Sequence, residues 1–195
     1  MNDQDRFLIQ KAQNGDTEAF RELIDLYCPR INRIAYQITG NSEDARDIAQ
    51  EVFLRLYRKL GTFRQTTKFT TWLYRMTVNM SIDYLRKNSG SETVSIDALE
   101  QPLEIPDNER LPDTQAEQNE LKGAITKITG QLTPKQRKVF VLKDLQDFST
   151  AEVADILKCS CATVRVHLSD ARRHIKNALM KQYPNLVINS GGEYT

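Results

Sequence analysis

Lys59-Leu-Gly-Thr-Phe63-Arg-Gln-Thr-Thr-Lys68-Phe69-Thr-Thr-Trp72-Leu-Tyr74-Arg75-Met-Thr-Val-Asn79-Met-Ser-Ile-Asp83-Tyr84-Leu-Arg86-Lys87 sets five aromatic rings among six Lys and Arg and one carboxylate. The cations attract a phosphate backbone, and the ring faces offer stacking platforms for unpaired bases. Together they suit a surface that holds a strand whose bases have left the duplex. A plainer account is an amphipathic helix with a basic solvent face and its aromatics in the core. Composition alone favours the plainer account; the rest of the chain favours the strand-holding one.

Outside this stretch the net charge of +1 is unevenly spread. Residues 1–58 carry 8 basic and 10 acidic groups, residues 59–88 carry 6 and 1, residues 89–117 carry 1 and 8, and residues 118–195 carry 12 and 7. Two basic modules are joined by an acidic connector, an asymmetry that the overall balance conceals. The chain's 195 residues suit one larger or two small domains. There is no basic-then-apolar leader and no apolar run long enough to cross a membrane. Three cysteines, Cys28, Cys159 and Cys161, do not make a disulfide framework in a chain this long. The expectation is a cytoplasmic, reduced protein without membrane insertion.

Apolar spacing is helical throughout, so the fold class expected is all-α. Asp16 can cap a helix with Phe20, Leu23, Ile24 and Tyr27 on one stripe. Pro29 suits a break or the first turn of a continuation carrying Ile31, Ile34, Ala35 and Ile38, which Gly40 closes. Asn41 or Ser42 can cap the next helix, with Ala45, Ile48, Ala49, Val52, Leu56 and Leu60 buried and Asp47, Gln50, Glu51, Arg55 and Arg58 pointing elsewhere. Gly61 to Thr67 reads as a short polar loop before the basic-aromatic helix. From Ser89 to Glu117, with Pro102, Pro106 and Pro112, an extended acidic linker is expected.

The second helical set begins near Thr114 with Leu121, Ile125 and Ile128. Leu132-Thr133-Pro134-Lys-Gln136 combines an N-cap, a proline at the first helical position and a glutamine at the third, opening a helix with Val139, Phe140, Leu142 and Leu145. Ser149-Thr-Ala-Glu152 is a capping box for a short helix with Val153, Ile156 and Leu157. Ser160 can cap a last helix whose buried stripe is Val164, Leu168, Ala171, Ile175 and Leu179. Two capped helices and a tight turn, the second helix basic, are a helix-turn-helix arrangement. Arg172, Arg165, Lys176, Ser169, Ala162 and Arg173 share one arc of that second helix, as a helix lying in a major groove requires. Cys159 and Cys161 with His167 and His174 hint at a metal or redox switch, but one residue between the cysteines is tight for zinc, and a structural role is favoured.

At this point the chain resembles a known family. Asp47-Ile-Ala-Gln50-Glu51-Val-Phe53, then Phe69-Thr-Thr-Trp72-Leu-Tyr-Arg75, Asn79 and Asp83, resemble region 2 of the sigma-70 family, of the small extracytoplasmic-function (group 4) type. Leu132-Thr-Pro-Lys-Gln-Arg137-Lys-Val-Phe140 and Ala154 to Arg172 resemble region 4. The likeness spans roughly residues 5–88 and 118–180. It implies an all-α protein of two small domains: region 2 over residues 1–88, an acidic linker over 89–117, a region 4 helix-turn-helix over 118–183 and a tail over 184–195. The implied function is that of a bacterial sigma factor, which directs core RNA polymerase to promoters and helps melt them, with no catalysis and no cofactor. The partners implied are the polymerase clamp and flap, promoter DNA as duplex and as melted non-template strand, and an anti-sigma protein. Asp47, Gln50, Glu51, Phe53 and Tyr57 would dock on the polymerase. Lys59, Phe63, Lys68, Trp72, Arg75, Asn79 and Arg86 would serve the −10 element, Phe63 in the loop that captures a flipped-out base. Thr163, Arg165, Ser169, Arg172, Arg173 and Lys176 would serve the −35 element. Three positions depart from the pattern. Lys158 and Ala162 stand where glycines are usual, and Asp170 replaces a frequent basic residue. A helix-turn-helix regulator binding duplex DNA on its own is the competing reading, and a nucleic-acid enzyme a weaker one.

Overall fold

A computed structural model describes residues 3–64, 68–88 and 123–184. Among them every regular element is helical. In the N-terminal half α1 spans Asp3–Gln13, α2 Thr17–Thr39, α3 Ser42–Leu60 and α4 Phe69–Asn88. In the C-terminal half α5 covers residues 123–129, followed by α6 (Pro134–Phe140), a π-helical turn (Val141–Leu145), α7 (Thr150–Leu157) and α8 (Cys161–Gln182). The expected 89–117 linker and the start of the helix placed near Thr114 lie outside the described residues.

Local signals set the helix starts. The Asp16 carboxylate accepts from the Ala19 N–H at 3.0 Å. The Asn41 amide oxygen accepts from the N–H groups of Glu43 and Asp44. Thr133 with Gln136, and Ser149 with Glu152, form complete capping boxes, and Ser160 caps α8 through the Thr163 N–H. Each cap satisfies helix-end donors that would otherwise have no partner. Gly40 ends α2 in the left-handed region, at φ 78°, where a side chain would be strained.

Pro29 does not break α2, which runs unbroken across it. The stretch around it is pinned by Tyr27, Ile31 and Ile34, all buried, and packing of that kind outweighs a lost backbone bond. The α3 stripe is buried as expected, with Phe53 added at its edge. In α8 it is Ala178 that is buried, while Leu179 is only partly covered. Leu157 of α7 is likewise only partly covered, and Ala154 is buried in its place.

Two elements were not foreseen. α1 packs Leu8 and Ile9 into the bundle, and its Gln13 amide donates to the carbonyls of Leu60 (2.9 Å) and Phe63 (3.0 Å), bracing the end of α3 and the turn after it. The helix that starts at Pro134 widens at Val141 into the π turn, which buries Val141 and Leu142 and precedes Asp147 at φ 57°. No capping or periodicity signal marks such a widening.

The two halves are in contact. One apolar cluster runs through both, and the Tyr74 and Phe148 rings meet across it at 5.3 Å. In space α4 lies against α7 and α2 against the π turn.

Candidate functional site

Lys68, the residue before α4, and Trp72, Arg75, Asn79 and Arg86 on it follow one another at three-, four- and seven-residue steps. At about 100° per residue they fall within a stripe roughly 60° wide, and at ~1.5 Å per residue it runs some 27 Å. Lys68, Asn79 and Arg86 are exposed, whereas Trp72 and Arg75 are half-buried. Lys59, at the end of α3, is also exposed. A rod of cations and amides around one indole is a surface on which a phosphate backbone can lie while a base stacks.

Phe63 is not part of that open surface. It is only 8% exposed, lies nearly parallel to Trp72 with centroids 5.0 Å apart, and meets Phe69 edge-on at 5.6 Å. Phe69 and Tyr74 are buried as well, and Tyr27 packs against both. The plainer account of the opening stretch thus applies to Phe63, Phe69 and Tyr74, whose burial removes large apolar area from water. Trp72, backed by Phe63, is the ring that borders the stripe. The Tyr84 hydroxyl donates to Asp44 at 2.6 Å, a bond that pushes its phenol above the usual range and ties α4 to the start of α3.

The middle of the stripe is engaged by the other half of the chain. The Arg75 guanidinium donates from Nε to the Ile156 carbonyl at 2.8 Å and from Nη2 to the Asp155 carbonyl. Lys138 donates from Nζ to the Asn79 amide oxygen at 3.3 Å, and burial lowers the Lys138 pKa.

In the helix-turn-helix, α7 ends on Lys158, whose φ of 54° is left-handed, and α8 starts on the Ser160 cap. Thr163, Arg165, Ser169, Arg172, Arg173 and Lys176 are all exposed along α8. They are not equally free. Arg172 donates twice to Asp144 of the π turn, at 2.7 and 2.6 Å, and this bond raises its pKa. Arg173 pairs with Asp170 one turn away at 2.6 Å, so the unusual carboxylate at 170 neutralises a neighbour. The Thr163 hydroxyl shares a 2.9 Å bond with the Ser160 cap. Arg165, Ser169 and Lys176 complete the outward arc. Val166, 60% exposed beside them, was missed by counting polar residues alone.

A third surface is an apolar groove of about 620 Å³ between α2 and α3, with Phe20, Ile24, Cys28, Phe53, Leu54 and Tyr57 among its lining. Of the residues expected to dock on polymerase, Gln50, Phe53 and Tyr57 line this groove, while Asp47 and Glu51 sit outside it on the same helix. Phe20 and Ile24 had been expected in the core, but both are only partly covered and form the groove's α2 wall. Leu54, 51% exposed on a helix whose stripe has no place for it, was the legible and overlooked signal. Tyr57 stands 63% exposed, held edge-on by Phe20 at 5.1 Å.

Cys159 is half-buried, with its thiol pKa raised by that burial and then by Cys161. The described residues contain no cluster of three or more His, Cys, Asp and Glu able to hold a metal, and no helix long and apolar enough to cross a membrane.

Residues 23–90 match the family model for sigma-70 region 2, and residues 122–175 that for sigma-70 region 4. The chain is 32% identical over 176 residues to the ECF RNA polymerase sigma factor SigW of Bacillus subtilis, covering 88% of this chain and 94% of that protein. It is 30% identical over 184 residues to the ECF RNA polymerase sigma-E factor of Escherichia coli, covering 89% and 93%. In fold it is similar to CnrH in its complex with the cytosolic domain of CnrY, at a TM-score of 0.68 and 22% identity over 92% of this chain and 99% of that one. A second similar fold is the sigma factor RpoE of Bartonella quintana bound to the anti-sigma factor NepR, at a TM-score of 0.63 and 21% identity over 84% and 98%.

Proposed function

As a member of the extracytoplasmic-function branch of the sigma-70 family, this chain is an RNA polymerase sigma factor, and we propose how its surfaces divide that work. Residues 1–88 dock on the polymerase and act on the −10 element, residues 118–183 read the −35 element, residues 89–117 join them and residues 184–195 are a tail. Sigma factors as a family are not catalysts, and binding is the whole of what is asked of this chain. Work on polymerase and DNA assigns it to the bacterial cytoplasm.

The observation that carries the reading is the single stripe of Lys68, Trp72, Arg75, Asn79 and Arg86 on α4. Splayed bases gain stacking there as duplex pairing is lost, so melting is driven by binding. Trp72 is the stacking platform and Phe63 its buried support. The α2–α3 groove, with Gln50, Phe53 and Tyr57 in its lining and Asp47 and Glu51 beside it, accepts an apolar helix face from the polymerase. Arg165, Ser169 and Lys176, with Arg173 and Thr163 at their side, meet the major groove. The two similar folds were solved with a cytosolic domain of CnrY and with an anti-sigma factor bound, and a protein antagonist of that kind is the proposed regulator.

Holoenzyme reconstituted with Trp72→Ala tests the stripe. It should still form closed complexes but open the promoter at least tenfold less, read as permanganate reactivity of thymines near the start site. Normal reactivity would remove α4 from melting. For the groove, Tyr57→Ala should weaken core-polymerase binding by about 2 kcal/mol, roughly thirtyfold, with far-UV CD unchanged. Unchanged affinity would move docking elsewhere.

A further inference from the structure

α8 carries an apolar pair on its outward side. Its buried residues Val164, Leu168, Ala171, Ile175 and Ala178 hold the helix against α6 and α7. At about 100° per residue Val166 lies roughly 200° around the helix from Val164, nearly opposite that stripe, and Ala162 lies roughly 160° around it. Both are exposed, Val166 to 60%. They are four positions apart, so their side chains stand one above the other in the first two turns after the Ser160 cap. Arg165 and Arg173 are exposed beside them, and Asp170, one turn beyond Val166, gives its carboxylate to Arg173. A β-branched residue on a helix is stiff at χ1 and adds little to helix stability, and so exposed a valine gains little from burial. Folding gives no reason for a valine at this position; a partner does.

Where the pair sits sets the partner. The early residues of a recognition helix are the ones that reach base edges in a major groove. Every base pair offers hydrogen-bonding atoms there, but only thymine adds a methyl group, at C5, and an apolar side chain is what that methyl accepts. The arginines alongside bind phosphates or guanine and carry no information about a methyl. We propose that Ala162 and Val166 form a methyl-reading notch, in which the 5-methyl group of one thymine in the −35 element packs against Val166 beside Ala162. The inference rests on the reading of α8 as the −35 helix and adds a thymine to what that helix selects. Each residue has its part. Ala162 is small enough to leave room for the methyl one turn below Val166, and Val166 supplies the apolar surface. Taking one methyl group out of water against such a surface is worth about fourfold in affinity.

The test uses holoenzyme reconstituted from the full chain and core polymerase, at one salt concentration throughout. Binding sites are first selected from a duplex pool randomised over the promoter length. In the selected −35 element each thymine is then replaced singly by deoxyuridine, which removes the 5-methyl group and keeps every hydrogen-bonding atom. Wild type should lose about fourfold in affinity at one thymine and less than about 1.5-fold at the others. Val166→Ala holoenzyme should bind the parent site about fourfold more weakly and lose nothing further when that thymine becomes deoxyuridine. Alanine is the better helix former at an exposed position, so the variant keeps its fold, checked by far-UV CD. At the same position wild type should prefer 5-methylcytosine to cytosine, and the variant should not. Equal deoxyuridine losses in wild type and variant overturn the proposal, as does a −35 element without a methyl-sensitive thymine. Arg165→Ala judges the α8 reading separately. If it relaxes selection at one −35 base pair while the methyl effects are absent, α8 remains the −35 helix and only the notch is lost. If neither it nor Val166→Ala alters −35 selection, the helix assignment itself fails.

Discussion

Lys158 closes α7 in the left-handed region, with its N–H bonded to the Ala154 carbonyl. A side chain there clashes with its own backbone at a cost of about 1–2 kcal/mol, part of which glycine returns through its looser unfolded chain. Lys158→Gly should therefore stabilise the protein by roughly 0.5–1 kcal/mol in urea unfolding. A loss of stability would mean that the lysine side chain makes a contact worth more than the strain. Arg165 and Arg172 are chemically alike but differently placed. Arg172 is held bidentately by Asp144, whose side chain is 18% exposed, so it braces α8 against the π turn. Arg165 is exposed and faces outward. Arg165→Ala should relax selection at one −35 base pair by about 1–3 kcal/mol, whereas Arg172→Ala should weaken all sequences alike and lower the unfolding midpoint. Base-specific loss at Arg172 without destabilisation would reverse the two roles.

At the scale of an element, α7 depends on its capping box. Glu152 accepts from the Ser149 N–H at 3.0 Å and from its hydroxyl at 2.8 Å, and these bonds hold the carboxyl below its ordinary 4.5. A depressed folded pKa means stability that is complete above the unfolded value and is lost as pH falls through the folded one. Glu152→Gln keeps an oxygen acceptor but cannot titrate. The variant should be less stable than wild type at neutral pH, and the gap should close between pH 4.5 and the lower folded pKa, read from denaturant midpoints at several pH values. A gap that persists at pH 3 would assign the effect to shape and not to charge. The π turn is the other element that matters. Its wider coil brings Asp144 to Arg172 and is followed by Gln146 and Phe148, which face the N-terminal half. π turns of this sort recur where function needs a local departure from the α-helix.

Across the whole molecule, one apolar cluster runs through both halves, and the contacts across their joint include one ring pair, a stacked guanidinium and a few hydrogen bonds. Such a joint couples the halves too weakly to enforce one transition. Trp72, the sole tryptophan, reports the N-terminal half alone, whereas far-UV CD reports both. Urea unfolding followed by the two probes should therefore give non-coincident curves. Superimposable curves would show the joint to be stronger than its inventory of contacts.

The sequence by itself determined where helices begin, because caps at Asp16, Asn41, Thr133, Ser149 and Ser160 are bonds across two or three residues. It determined the buried stripe of α3, since periodicity along one helix is a local property, and its motifs carried the family. Tertiary structure decided the rest. Phe63 looks like a base-capturing loop aromatic until Trp72 and Phe69 close over it. Arg75 reads as a DNA contact in either case, but its carbonyl partner at Ile156 lies 81 positions away, and that of Arg137 at Ile38 lies 99. Backbone carbonyls carry no residue identity, so nothing in the amino-acid order marks which helix end an arginine will find; only the packing of the two halves brings them together.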